Sequence, residues 1–313
     1  MLKHIPALVI VLMGGLLFIN TTTVSGPAHF LNTNIAALPS APLFPRQSVL
    51  FSARWNRTAT DNAKIVADFA AYQGTDLVWH YASNRTLLDQ FTAAGARAKQ
   101  CGLPVQLTES APFAQLCRQL DGSYTRFPWM LAPKNIVGNL LDPAFHQVRV
   151  QAAVTNVRLG CTMLQQDDVE SLLLSFAWAG GCFSDSVDEQ FARYLRRFVS
   201  PAELAAAGIP STEGFRYSDH LRALGAPSDA TLYTWAHPQS LLAHYKDFIR
   251  LQIINNAHDI KAQVLAQTGI AVKLSGNFWF RPAHPERPGL STVNAVDGIM
   301  QELDYHPEQG HLS

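Results

Sequence analysis

Charge is scarce in this chain. Asp, Glu, Lys and Arg make up 15% of its 313 residues, and 24 basic side chains balance 24 acidic ones. No basic stripe marks a nucleic-acid track, and no acidic block marks a solvating tail. Cysteine is sparse too. Cys101, Cys117, Cys161 and Cys182 form no CxxC pair, which speaks against a structural zinc site. No GxGxxG or GxxxxGK(S/T) loop is present, so the usual phosphate cradles are missing. No internal repeat or low-complexity block interrupts the chain. These gaps call for neither a metal nor a cofactor.

What the chain has is apolar and aromatic substance: 48% of it is apolar, with six tryptophans. Its length suits one large or two ordinary domains. Lys3 and His4 precede an almost unbroken apolar run from Ile5 to Ile19. A bilayer span needs about 20 residues, so the run fits a secretory leader better. Gly26 could stand at the cut, although Pro27 follows it. A retained anchor is the second reading, and the only route to a membrane. Either way the body is expected to be exported, secreted or periplasmic. Residues 1–26 are then leader or anchor, 27–47 a proline-rich lead-in, and 48–313 the body. Export permits disulfides. Cys117 and Cys182 lie in loop-like sequence where a bridge could form, while Cys161 opens an apolar run and reads as core.

Strand-like and helix-like stretches alternate in the body. Strands are predicted at Ser48–Trp55, Asp76–Ala82, Leu103–Ser110, Cys161–Asp168, Ile270–Trp279 and Ala295–Tyr305. Between them, apolar residues recur at helical spacing: Ile65, Val66, Phe69 and Tyr72, then Leu87, Leu88, Phe91 and Ala98 with a stop at Gly102. Thr86 and Asp89 are read as caps of that second helix. Asp142 with Pro143 opens a third helix. Ser200-Pro201-Ala202-Glu203 is a capping box opening a short one. A long helix is expected over Gln239–Gln267. Such alternation argues for a parallel sheet with helices outside it.

An open doubly wound sheet would usually carry a Gly-rich phosphate loop. The strands here end instead in polar and aromatic residues: Arg54, His80, Glu109, Asp167 and Asp168, Asn277 and Trp279, Glu302. Barrel active sites are assembled from such strand ends. The expected fold is therefore a (β/α)8 TIM-type barrel. Only six of its eight strands are legible. Two lie unrecognised in residues 208–235, or the sequence is a piece of a longer barrel.

The stretch "LGCTMLQQDD…GGCFSDSVDEQFARYL" resembles the fourth-strand region of bacterial glycoside-hydrolase-like barrels related to the β-galactosidase group. Gly160, Asp167, Asp168, Cys182, Phe183, Phe191, Tyr194 and Leu195 carry the likeness. Ser184 and Val187 depart from the family's further cysteines. The general layout extends over Val49–Tyr305. The resemblance implies a carbohydrate substrate and a fourth-strand aspartate working with a carboxylate from a later strand. In the related β-galactosidase clan the nucleophile comes from the seventh strand.

Glycosidic cleavage needs two carboxyl groups on opposite sides of the scissile bond. Asp167 and Asp168 cannot be that pair, because successive strand side chains point to opposite faces. Parity alone does not choose between them; the family pattern puts Asp167 inward, beside Gln165. Asp167 and Glu302 are the expected catalytic residues. Arg54, His80, Glu109, Asp168, Trp178, Asn277 and Trp279 are the expected substrate contacts. Trp178 is placed on a loop, where its ring would stack on a sugar. Each has a plainer reading as cap, surface ion pair or core. The function expected is glycoside hydrolysis; the rivals are a non-catalytic carbohydrate-binding barrel and an inactive fragment. The sequence names no sugar, and it leaves the oligomeric state open.

Overall fold

The protein is described by a computed structural model that covers residues 50–52, 59–80, 84–127, 135–167, 171–277, 292–300, 305–306 and 311–312. The leader segment and the proline-rich lead-in lie outside the described residues, as do Arg54, Asp168, Trp279 and Glu302. The chain divides into two compact units: residues 1–101 with 159–163, and residues 102–158 with 164–313.

The first unit alternates β1 (Leu50–Ser52), α1 (Ala59–Ala71), β2 (Asp76–His80), α2 (Arg85–Ala93) and most of β3 (Ala98–Leu103). Strands β1 and β2 are parallel, as are β2 and β3. The core is Phe69, Leu77, Leu87, Leu88 and Phe91, with the two phenyl rings edge to face at 5.3 Å. The cap of α2 is Asn84, not Thr86 or Asp89. Its side chain accepts from the Leu87 amide at 3.1 Å, and Asp89 pairs instead with Arg85 one turn away. That helix ends earlier than expected, at Gly95, whose φ of +99° suits a residue without Cβ.

Residue Ala98 therefore belongs to β3, and the third strand is Ala98–Leu103 rather than Leu103–Ser110. The local sequence, AKQCGL, lacks the β-branched residues that mark strands. Tertiary pairing fixes it: Asp76, almost fully buried, accepts from the Ala98 amide and from Arg97. Cys161 is also more than core. It is buried and bonded to Cys101.

The second unit contains β4 (Gln106–Thr108), β5 (Asn135–Val137), α3 (Pro143–Arg158), most of β6 (Met163–Gln166), α4 (Ser171–Ala179), α5 (Asp185–Phe198), α6 (Pro201–Ala206), α7 (Tyr217–Ala223), α8 (Leu242–Thr268), β7 (Lys273–Asn277), β8 (Gly298–Met300), β9 (Tyr305–His306) and β10 (His311–Leu312). Strands β4 and β5 form their own antiparallel pair, as do β9 and β10. The main sheet runs β1-β2-β3-β6-β7-β8, and β7 and β8 are parallel. This is an α/β fold with parallel strands and helices.

Among the described residues the main sheet has six strands, not eight. Residues 208–235 hold α7 and a 3₁₀ turn at Ala230–Thr234, and no strand. The caps read at Asp142 and Ser200 are present: Asp142 accepts from the Phe145 amide at 2.9 Å, and Ser200 and Glu203 form the reciprocal box.

The core of this unit is aromatic. Phe183, Phe191, Tyr217, Tyr245 and Phe248 pack together, with Phe191 and Tyr217 centroids 4.5 Å apart. Burial pushes the phenols of Tyr217 and Tyr245 well up. Each hydroxyl donates to a backbone carbonyl, Ser240 and Cys182 respectively. Cys182 is bonded to Cys117, so the loop-to-loop bridge is present.

Asp188 is buried under this cluster. It accepts from the Ser218 amide at 2.9 Å and the Ser218 hydroxyl at 2.6 Å, and so holds the start of α7. Burial lifts its carboxyl above the ordinary 3.8, against the Ser218 hydrogen bonds and the Arg216 charge, which pull it down. The folded chain thus holds this proton more tightly than the unfolded chain. The stability it contributes is fully present below the unfolded value and is lost as pH rises through the folded one. Asp188→Asn keeps an acceptor for the Ser218 amide and removes the titration. Urea unfolding over the acid range should then show a shallower fall of stability just above pH 3.8; an unchanged slope would refute this assignment.

Candidate active site

Strand β6 is buried along its whole length. Its side chains alternate between two faces. Leu164 joins the core that contains α3 and α8 residues such as Val154 and Ile260. Gln166, on the same face, accepts from Arg149 Nη2 of α3 at 2.7 Å. Alternation therefore turns Gln165 and Asp167 to the opposite face.

Asp167 follows the last residue of β6, and Asn277 is the last residue of β7. Asn277 Nδ2 donates to Asp167 Oδ1 at 3.2 Å. The two strands are tied one step earlier, where Ser275 Oγ donates to the Leu164 carbonyl at 3.3 Å. Asp167 is partly exposed and Asn277 is buried. Gln165 is fully buried, and among the described residues neither its Nε2 nor its Oε1 has a hydrogen-bond partner; the same holds for Asn277 Oδ1. Burying a polar group in this way costs about 1–3 kcal/mol.

Behind the strand, Arg149 holds the opposite face. It is fully buried and donates to the carbonyl of Pro104 and to the side-chain oxygens of Asn256 and Gln166. All three acceptors are neutral, and burial pushes the guanidinium down to about 9. The Asn256 amide nitrogen donates onward to the Leu140 carbonyl and to His146 Nδ1. His146 Nε2 reaches Asp259 at 2.6 Å. This chain of hydrogen bonds locks α3 to α8 and to the end of β6. Its one signal in the sequence was the pair of amides, Gln165-Gln166, closing an otherwise apolar strand.

The other expected contacts are placed less simply. Glu109 follows β4 of the small antiparallel sheet, not a strand of the main sheet, and pairs with Arg126 at 2.6 Å. Trp178 is not on a loop. It lies in the last turn of α4, half-buried and packed against the core. His80 ends β2, in the first unit. The roles given to Arg54, Asp168, Trp279 and Glu302 fall on residues outside those described. Of the expected residues, the structure brings together Asp167 and Asn277; by alternation along β6, Gln165 faces away from Gln166 and Arg149.

A cavity of about 380 Å³ lies elsewhere in the second unit, lined by Glu203, His237, Leu241 and His244 among others, and none of the expected site residues faces it. Among the described residues, no group of three or more His, Cys, Asp or Glu could hold a metal ion.

No protein-family model matches the chain, and no curated protein does. Solved structures with a similar backbone include glycoside hydrolases, at low similarity. The glycoside hydrolase domain of PelA from Pseudomonas aeruginosa is 11% identical with a TM-score of 0.42, over 84% of this chain and 71% of that one. TtGalA, an alpha-galactosidase from Thermus thermophilus in complex with stachyose, is 11% identical with a TM-score of 0.41, over 80% of this chain. The chain spans 42% of the length of TtGalA.

Proposed function

We propose that this chain is a carbohydrate-acting (β/α) barrel, a glycoside hydrolase in which Asp167 is a reacting carboxylate. One observation carries the reading: Asp167 stands just past the C-terminal end of β6, held by Asn277 from the end of β7. Barrel chemistry is assembled at that end of the strands. Asp167 acts as nucleophile or base, and Glu302 is proposed as the partner that protonates the leaving oxygen. Two disulfides suit the oxidising compartment expected of an exported protein.

Asp167→Asn keeps the shape and the Asn277 contact while removing the charge. Its kcat on aryl glycosides is expected to fall about 100-fold or more with folding unchanged. Full activity of the variant across several glycosides would discard the mechanism. A second reading, a carbohydrate-binding barrel without catalysis, is favoured by the groups beside Asp167. Those described are amides, which grip hydroxyls and move no protons. It predicts sugar binding by the wild type with no turnover, weakened by Asp167→Asn.

A further inference from the structure

Gln165 is out of character for its position. Its neighbours Met163 and Leu164 are apolar and buried, and a leucine would fill the strand without leaving polar atoms unmet. Its amide is fully buried with neither atom hydrogen-bonded. The adjacent amide, Gln166, is fully engaged with Arg149 on the helix face. Gln165 looks the other way, onto the face of Asp167. Groups unsatisfied in this fashion call for an explanation, and function is a frequent one.

We propose that Gln165 is a further binding residue of this site, gripping hydroxyls of the same uncharged sugar ring on which Asp167 acts. The inference rests on the carbohydrate reading of Asp167. Three polar atoms at neighbouring strand ends lack partners: one donor, Gln165 Nε2, and two acceptors, Gln165 Oε1 and Asn277 Oδ1. A hydroxyl both donates and accepts, so a neutral polyol can satisfy all three. The carboxylate of an anionic sugar, set among these groups, brings acceptors only. It would meet a single donor, two further acceptors and the Asp167 carboxylate. Among the described residues, the buried cation is Arg149, and it is turned to the other face of β6. The reach is suitable as well. Asp167 lies two residues past Gln165, just beyond β6; at about 3.3 Å per extended residue, one ring can touch both. Asp167, two residues further on, is partly exposed.

The test is Gln165→Leu in the full chain, with Gln165→Glu as a second variant of the same shape. Urea unfolding without sugar, and KM or Kd for a panel of neutral p-nitrophenyl hexosides and for p-nitrophenyl glucuronide, are measured for each. Gln165→Leu is expected to be at least as stable as the wild type, because nothing in the fold uses the amide. It should weaken the best neutral hexoside about 10-fold or more, and Gln165→Glu should do the same by losing the donor. The wild type should prefer the neutral sugar to the glucuronide. A loss of stability in Gln165→Leu would show the amide engaged within the fold and overturn the proposal. So would unchanged affinity in both variants, or a preference for the glucuronide. The reaction itself is read separately: Asp167→Asn with full turnover removes the catalytic mechanism, and leaves a Gln165 effect on affinity standing.

Discussion

With Cys117 and Cys182 both replaced by Ala, the chain is expected to unfold at a free energy about 4 kcal/mol below that of the wild type. The bond closes a loop of 65 residues, and in the chain-entropy account a loop of that size removes about this much freedom from the unfolded state. The native side adds to the loss. Both cysteines are buried in the core. The Phe183 amide donates to the Arg118 carbonyl at 2.7 Å, one residue beyond each cysteine, and Tyr245 donates to the Cys182 carbonyl. The bridge thus ties the loop after β4 to the segment between α4 and α5. Domains are stable by about 5–15 kcal/mol, so the variant would be marginal. Urea unfolding under oxidising conditions measures the shift, and dithiothreitol should destabilise the wild type more than the variant. A shift under about 1 kcal/mol would mean that the bond contributes little.

Arg149→Met should be comparably severe, at about 3–5 kcal/mol. Methionine has a similar reach and no charge, so packing is largely kept. What is lost is the donor to three acceptors, the Pro104 carbonyl and the side-chain oxygens of Asn256 and Gln166. Leaving buried acceptors unmet costs about 1–3 kcal/mol each. The counter-effect is real: a cation buried among neutral groups is itself expensive, which is why burial pushes its pKa down to about 9. Removing only the cation gives relief from that and three orphans in exchange. Removing the acceptors too, with Asn256→Leu and Gln166→Leu, should recover much of the loss, since a buried polar network can often be replaced by apolar packing. A single Arg149→Met that melts like the wild type would show that the network is not a stabilising lock. Because Gln166 precedes Asp167, the variant also tests whether this lock keeps the end of β6 in place for the proposed site.

Local hydrogen bonds were the most legible part of the sequence. The caps at Asp142 and Ser200 are made by residues three positions apart, so the pattern contains the partners. In α5, Val187, Phe191, Tyr194 and Leu195 recur at helical spacing along one buried side, with the other side wet. Elements buried on all sides gave no such contrast. Helix α4, SLLLSFAWA, has eight of its nine residues buried, so no periodic polar face marked it, and Trp178 was read as a loop residue. Strand β3 failed in the opposite way. Its residues have weak strand propensity, and Asp76 and the strands on either side make it one. Glu109 looked like a strand-end acid because sequence cannot tell a strand of the main sheet from one arm of a separate hairpin.

The sequence by itself determined the alternation of strands and helices, the strand-end position of Asp167 and the chain's near-neutral charge. These follow from periodicity, capping and composition, which act over a few residues. Only the tertiary structure decided that Cys161 meets Cys101, that Asn277 meets Asp167 and that Arg149 reaches Gln166. Those pairs are 60, 110 and 17 residues apart. It also decided which face of β6 each glutamine takes. Period-two alternation fixes only that neighbours differ; the helix packed behind the strand, with a buried arginine seeking an acceptor, fixes which one turns away and leaves Gln165 facing the site.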